Sequence, residues 1–469
     1  MTEHFQIAII GSGPGGYVAA LKAAQMGASV AVIEKHYLGG TCLNYGCIPS
    51  KALLASAELM HKINNAGSLG VNINGSVSFD WPKIQQRKDK IVAKLRGGIK
   101  GLFGSGNVRL YQAEAKFEAN GKLHLLDKNG QSQQITADNI IIASGSMPAR
   151  IGGWPTDAQF ICTSDEALHW NQLPKRLIIV GGGVIGCEFA CMMSEFAVDV
   201  TIVEMMENLL PEMETVLGTA LAEIFKKRNI KIFTGTKVEN LEIKGGVVRA
   251  AISGGQSIEV DKVLVATGRK PNTQELALEN TGLKTDRGFI KVNDRMQTAV
   301  KGLYCVGDAN GRCLFAHAAS AQGVTAVENA LGHQKDFNLP VPNAVYTFPE
   351  IASVGITTKQ AAEQKIPVSI GQFPIGYLGK AMAIGEEAGF VKVIRHSDEG
   401  TLLGVHIIGH NATEVIETAT AMLGAKAGAD ELAEMVFAHP TIGEAVKEAA
   451  EDSFQRAIHL PLKKAAKDI

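Results

Sequence analysis

One pattern occurs twice in this chain, and it restricts the fold more than anything else in the sequence. Gln6-Ile-Ala-Ile-Ile10 is an apolar run of the kind that forms a buried parallel strand. Gly11-Ser-Gly13-Pro-Gly-Gly16 follows, then a helical stretch from Tyr17 to Met26, a second apolar run Val30–Ile33, and the acid Glu34. Leu177–Val180, Gly181-Gly-Gly183-Val-Ile-Gly186, a helical stretch, Val200–Val203 and Glu204 repeat the order. The acid stands 23 residues after the first glycine in both copies. Strand, glycine turn, helix, strand and acid together form a dinucleotide fingerprint in its proper context. The glycines let backbone approach a pyrophosphate, and the helix N-terminus favours its charge. Two such units imply two dinucleotides, with hydride or electron traffic between them.

The acids say which nucleotides. Glu34 and Glu204 can each accept hydrogen bonds from ribose hydroxyls. The four residues after Glu204 are Met205, Met206, Glu207 and Asn208, with no cation for a 2′-phosphate. The second unit is therefore expected to take NAD rather than NADP.

Between the two units lies Gly39-Gly40-Thr41-Cys42-Leu-Asn-Tyr-Gly-Cys47-Ile-Pro-Ser-Lys51, followed by a helical stretch, Ala52–Met60. Cys42 and Cys47 can close a small disulfide ring, and thiols near a helix start and a cation tend towards thiolate. The same pair could be half a zinc site or two inert buried thiols. The upstream dinucleotide motif favours redox chemistry, and no second Cys/His pair stands nearby at ligand spacing.

Composition narrows the setting. The chain has 469 residues, enough for about three domains. It is 46% hydrophobic and 20% charged, so it can bury several cores. A formal charge of −1 without long charge runs argues against nucleic acid or an anionic membrane as partner. Seven dispersed cysteines fit a reducing compartment. No apolar run reaches the ~18 residues of a membrane helix. The first strand begins at Phe5, which leaves no room for a leader, so the expected location is the cytoplasm, or a matrix for a processed form.

The motif from Gly39 to Lys51 resembles that of the pyridine nucleotide–disulfide oxidoreductase family, and the likeness runs over nearly the whole chain. It implies an α/β fold: two Rossmann-like domains, for FAD and NAD, plus a C-terminal α+β dimerisation domain. The implied boundaries are 1–149 for the first FAD segment, 150–275 for the NAD domain, 276–342 for the second FAD segment and 343–469 for dimerisation. The implied activity is that of the branch oxidising dihydrolipoyl groups. Cys42 would be the interchange thiol and Cys47 the thiol against the flavin. In Ala438-His439-Pro-Thr-Ile-Gly-Glu444, His439 oriented by Glu444 would be the base, reaching the cysteines of a partner subunit. A lone His is more often structural; the family motif reverses that reading.

The resemblance also assigns cofactor contacts. For FAD these are Gly11, Gly13, Gly16, Glu34, Gly40, Thr41, Lys51 paired with Glu188, the backbone of Ala115, Ser144, Gly145, Asp308 and Ala316. For NAD they are Gly181, Gly183, Val184 as a small gate, Gly186, Glu204, Val238 and Gly268. The implied partners are a second copy and the lipoyl arm on the acyltransferase core of a 2-oxo acid dehydrogenase complex. Phe348 stands where relatives often carry His. Cys187 and Cys191, four apart on a helix, read as core residues, and His317 reads as structural. Rival readings are glutathione reductase, which would want arginines after Glu204, and a non-catalytic FAD-binding subunit. Relatives with a further redox pair near the C-terminus are set aside because the tail from Leu460 has no cysteine.

Overall fold

The computed structural model describes residues 2–155 and 157–461; the cysteine-free tail beyond 461 lies outside the described residues. Each glycine fingerprint builds one parallel sheet. In the first, Glu3–Ile10 is central, paired in parallel with Val30–Glu34 on one side and with the long strand Ser132–Ile142 on the other. Ile7 to Ile10 are nearly solvent-free because helices cover the Ile7 and Ile9 face and antiparallel strands, Arg109–Ala119 and Lys122–Asp127, cover the Ala8 and Ile10 face, which is why the run is apolar without alternation.

Two long strands join a parallel and an antiparallel part of one six-stranded sheet. Arg109–Ala119 starts parallel to Val30–Glu34, then turns antiparallel to Lys122–Asp127. Ser132–Ile142 starts antiparallel to Lys122–Asp127 and ends parallel to Glu3–Ile10. A three-stranded meander is thereby grafted onto the parallel sheet. Much later in the chain, Leu303–Cys305 adds to the same sheet beside Ile140–Ile142. The helix that follows it, Ala316–Ala330, packs on the first helix, Pro14–Gln25, through small residues: a Cβ on Gly323 would lie 2.5 Å from Gly15 O.

The second sheet is wholly parallel, in the order Lys231–Phe233, Asp199–Val203, Arg176–Val180, Lys262–Val265, Ile161–Thr163. An antiparallel meander, Val238–Lys244, Val247–Ile252 and Gln256–Val260, covers one face. The chain enters and leaves this unit through a two-stranded antiparallel ribbon, Ser146–Pro148 against Arg269–Pro271.

The last unit is a five-stranded antiparallel sheet in the order Asn343–Val345, Glu350–Gly355, Leu402–Gly409, Phe390–His396, Val368–Pro374. The helices Ala412–Gly424, Ala429–Glu434 and Glu444–Ser453 pack against it. A buried ion pair, Lys392 to Glu214 at 2.8 Å, fastens this sheet to the second unit. The expected α/β architecture with two dinucleotide folds and a C-terminal α+β unit is therefore what the chain adopts.

Candidate active site

The two fingerprints fold alike down to single hydrogen bonds. Glu34 accepts from Ser12 N at 3.0 Å and from His36 N at 2.8 Å. Glu204 accepts from Gly182 N and, at 2.7 Å, from Met206 N. Each acid thus closes on the residue after the first glycine and on its own second neighbour, and both are buried. The first glycines, Gly11 and Gly181, have φ of +99° and +110°, and a Cβ there would sit 2.4 Å from a backbone oxygen of the adjacent strand end. A Cβ on Gly16 or Gly186 would come within 2.0 or 1.9 Å of the first glycine's carbonyl. The middle glycines differ: Gly183 has nothing within 4 Å of a Cβ, and Gly13 only Gly40 Cα at 3.8 Å. The space above each middle glycine, at a helix N-terminus, is the cradle that a pyrophosphate needs.

Near the first cradle the chain gathers residues from four segments. Thr41 Oγ1 reaches Ser146 O at 3.5 Å, and Ser146 Oγ donates to Asp308. Arg269 donates to Ser146 Oγ and O at 2.7 and 2.9 Å and lies 4.0 Å from Asp308 Oδ2. Gly145 O accepts from Asn272 N at 2.9 Å. Ser144 Oγ is buried with no protein partner, a polar atom that suits a bound polar group, so the residues fit a flavin dinucleotide here. Ala316 opens the helix that follows. Ala115 and Val238 are buried in core packing, which leaves their backbone as what they can offer a ligand. Val184 opens the helix after Gly183, and Gly268 turns the chain at φ +113° into the ribbon. Ser146 and Arg269 escaped the sequence reading, because only the ribbon pairing brings them together.

The cysteine motif is more helical than its sequence suggests. Gly40–Tyr45 is a short helix, and the next begins at Cys47, five residues before the expected start, and runs to Asn64. Pro49 is tolerated in that first turn because its missing N–H has no helical acceptor there. Cys47 therefore sits at a helix N-terminus, while Cys42 rides on the preceding short helix. Both are free thiols and are hydrogen-bonded to each other. The Cys42 hydrogen bond, helped by the Lys51 charge and opposed by burial, pulls Cys47 down to about 7. The same bond and burial push Cys42 far above the usual thiol range. Of the two thiols, Cys47 is therefore the one whose thiolate is favoured.

Lys51 meets both carboxylate oxygens of buried Glu188 at 2.8 Å and lies 4.4 Å from the centre of the Tyr346 ring. Tyr346 N donates to the same carboxylate at 3.1 Å. At the far end of the chain, His439 Nδ1 lies 2.9 Å from Glu444 Oε1, and Thr441 N donates to Glu444 Oε2 at 2.8 Å. Burial works against ionisation of Glu444, but the Thr441 N–H and His439 hold its carboxyl below the usual range. The His439 side chain is 78% exposed, and among the described residues no hydrogen bond joins it to Cys42 or Cys47 within the chain. Phe348 stacks on His61 with ring centres 5.8 Å apart. Cys187 and Cys191 are solvent-free core thiols, and His317 holds Pro342 O at 2.8 Å.

A cysteine pair beside two nucleotide cradles defines a thiol–disulfide oxidoreductase coupled to dinucleotides. The chain belongs to the pyridine nucleotide-disulphide oxidoreductase family: residues 5–323 match that family's model, and 341–450 match its dimerisation domain. FAD and NAD are its cofactors. It is 38% identical to a dihydrolipoyl dehydrogenase of Bacillus subtilis, over 98% of this chain and 100% of the relative. It is 37% identical to one of Chlamydia muridarum, over 98% and 99%. LpdA of Mycobacterium tuberculosis superposes with a TM-score of 0.89 at 27% identity, covering 96% of this chain and 99% of that one. RclA, an HOCl-induced flavoprotein disulfide reductase of Escherichia coli, superposes in its Cu(II) complex at 0.85 and 26%, covering 96% and 99%. No helix among the described residues is long and apolar enough to cross a membrane.

Proposed function

We propose that the chain is a dihydrolipoyl dehydrogenase, which oxidises protein-bound dihydrolipoyl groups and reduces NAD. One observation carries the reading: Cys47 opens a helix and stands against Cys42, whose hydrogen bond, with the nearby Lys51 charge, favours its thiolate. In this reading residues 1–149 and 276–342 hold FAD, 150–275 hold NAD, and 343–469 dimerise. Bound FAD supplies the two-electron relay between the thiol pair and NAD.

The chain's own residues then divide the work. His439, held by Glu444, takes a proton from the substrate dithiol. The resulting thiolate attacks Cys42 Sγ of the Cys42–Cys47 disulfide. The Sγ–Sγ bond breaks, a substrate–Cys42 disulfide forms, and Cys47 leaves as the thiolate its helix end favours. The second substrate sulfur closes on the first as Cys42 departs with that sulfur's proton, and the first proton stays on the imidazole. The substrate has lost two electrons, and the enzyme pair has gained them. Lys51 and Glu188 hold a fixed charge pair beside Cys47. The exposed His439 fits a base presented to a second copy's cysteines, as in a homodimer. The physiological donor is the lipoyl arm of a 2-oxo acid dehydrogenase complex, and the reducing setting implied by the cysteines is cytoplasmic.

A paired assay tests this. NADH with lipoamide should turn over, and NADPH with glutathione disulfide should not. Activity in the second arm alone would overturn the substrate assignment and the Glu204 argument together.

A further inference from the structure

The two thiols are carried by separately supported pieces of chain. Cys47 belongs to an 18-residue helix that its own packing holds in place. Cys42 rides on a six-residue helix, too short to be stable alone. Asn44 fixes that short helix. Its side chain is almost solvent-free, and Nδ2 donates to Gly40 O at 2.8 Å and Leu38 O at 3.0 Å. Its Oδ1 accepts from Arg96 Nε. Arg96 enters from another element, the helix Trp81–Ser105, and its guanidinium also lies 4.1 Å from the centre of the Tyr37 ring. It therefore grips the cysteine loop on both flanks, before Gly39 and inside the short helix.

We propose that Arg96, acting through Asn44, is a positioning residue that sets where Cys42 stands against Cys47 and so sets the reduction potential of the pair. The inference rests on the reading of Cys42 and Cys47 as a redox couple. Preorganised thiols have a high effective concentration for each other, so loosening one of them favours the dithiol over the disulfide. The same displacement weakens the Cys42–Cys47 hydrogen bond and moves the Cys47 titration upwards. A positive charge supplied by Arg96 would not by itself depend on Asn44, and that separates the clamp from simple electrostatics.

The test is a redox titration of the flavin-loaded enzyme against dithiothreitol buffers, read by alkylation of Cys42 and Cys47. The variants are Arg96→Met, Arg96→Lys, Asn44→Asp and the double variant R96M/N44D. N44D keeps an oxygen for Arg96 and loses both Nδ2 donors. R96M and N44D should each shift the dithiol–disulfide equilibrium towards dithiol by about threefold to tenfold, about 15–30 mV on the two-electron scale. R96K should not restore the wild-type value, and the double variant should shift no further than the larger single one. Additive shifts, rescue by lysine, or an unmoved potential in R96M would overturn the clamp while leaving the redox pair intact. A wild-type pair that never cycles between disulfide and dithiol would overturn the pair assignment itself. If R96M loses flavin, R96K carries the test by itself: it keeps the charge and loses the planar contact to Asn44, and an unmoved potential in it would overturn the clamp.

Discussion

Two glycines three residues apart should fail in opposite ways when given a methyl group. In Gly186→Ala the new Cβ would lie 1.9 Å from Gly181 O, 3.1 Å from Gly181 C and 3.3 Å from Ile179 Cγ2. The nearest atom is backbone in the fingerprint turn, so the helix Val184–Glu195 must back away from its strand by about 1 Å or more. Overpacking of this kind costs about 3 kcal/mol or more when backbone has to move. For a unit of about 125 residues that is roughly a 10–20 °C fall in its melting temperature. In Gly183→Ala the Cβ meets nothing within 4 Å, and φ of −75° suits any residue. Stability should change by under about 1 kcal/mol, the cost of a poorer N-cap. The methyl, however, enters the cradle. Holding a pyrophosphate off the backbone at about 1–3 kcal/mol raises the KM for NADH by roughly 5- to 150-fold. The assays are calorimetric unfolding and NADH saturation at fixed lipoamide. A G183A variant that melts early with an unchanged KM, or a G186A variant of wild-type stability, would refute the division of labour.

Other outcomes follow from the same geometry. Alkylation of Cys47 in the reduced enzyme should rise with pH through about 7, because its depressed pKa makes thiolate available above that value. Lys51→Met removes a stabilising charge and should move the curve to higher pH; an unmoved curve would exclude Lys51 as a cause. Mixing Cys47→Ser and His439→Gln subunits should restore about a quarter of wild-type lipoamide turnover if each site takes its base from the other copy. A base acting within one chain predicts none. His406 is solvent-free, between Ser353 Oγ and Ile356 O, and burial depresses it to about 4. The unfolded chain, with His near 6.5, binds the extra proton first, so stability falls as pH drops from about 6.5 to about 4, by roughly 3 kcal/mol in all. Thermal unfolding of His406→Gln across that window should be flatter, and an equally steep profile would remove His406 from the account.

The two dinucleotide folds were legible because their chemistry is contiguous. A strand, a turn that only glycine fits, a helix and an acid lie within 29 residues, and each element constrains the next. Contacts made at long range were not. Arg269 meets Ser146 across 123 positions, and Arg96 meets Asn44 across 52; neither residue belongs to a pattern of its own. The helix start at Cys47 was hidden for a local reason. Proline three residues in reads as a breaker, although in a first turn it breaks nothing.

The ribbon of Ser146–Pro148 against Arg269–Pro271 has a historical consequence. Residues 149–268 begin and end at adjacent points on one surface, so they can be lifted out or replaced without moving the strands they interrupt. Under the proposed function, which gives this segment to NAD, a chain built this way can exchange its nicotinamide module whole. Grafting 149–268 from an NADPH-using relative between Pro148 and Arg269 should carry coenzyme preference with it and leave the thiol chemistry native.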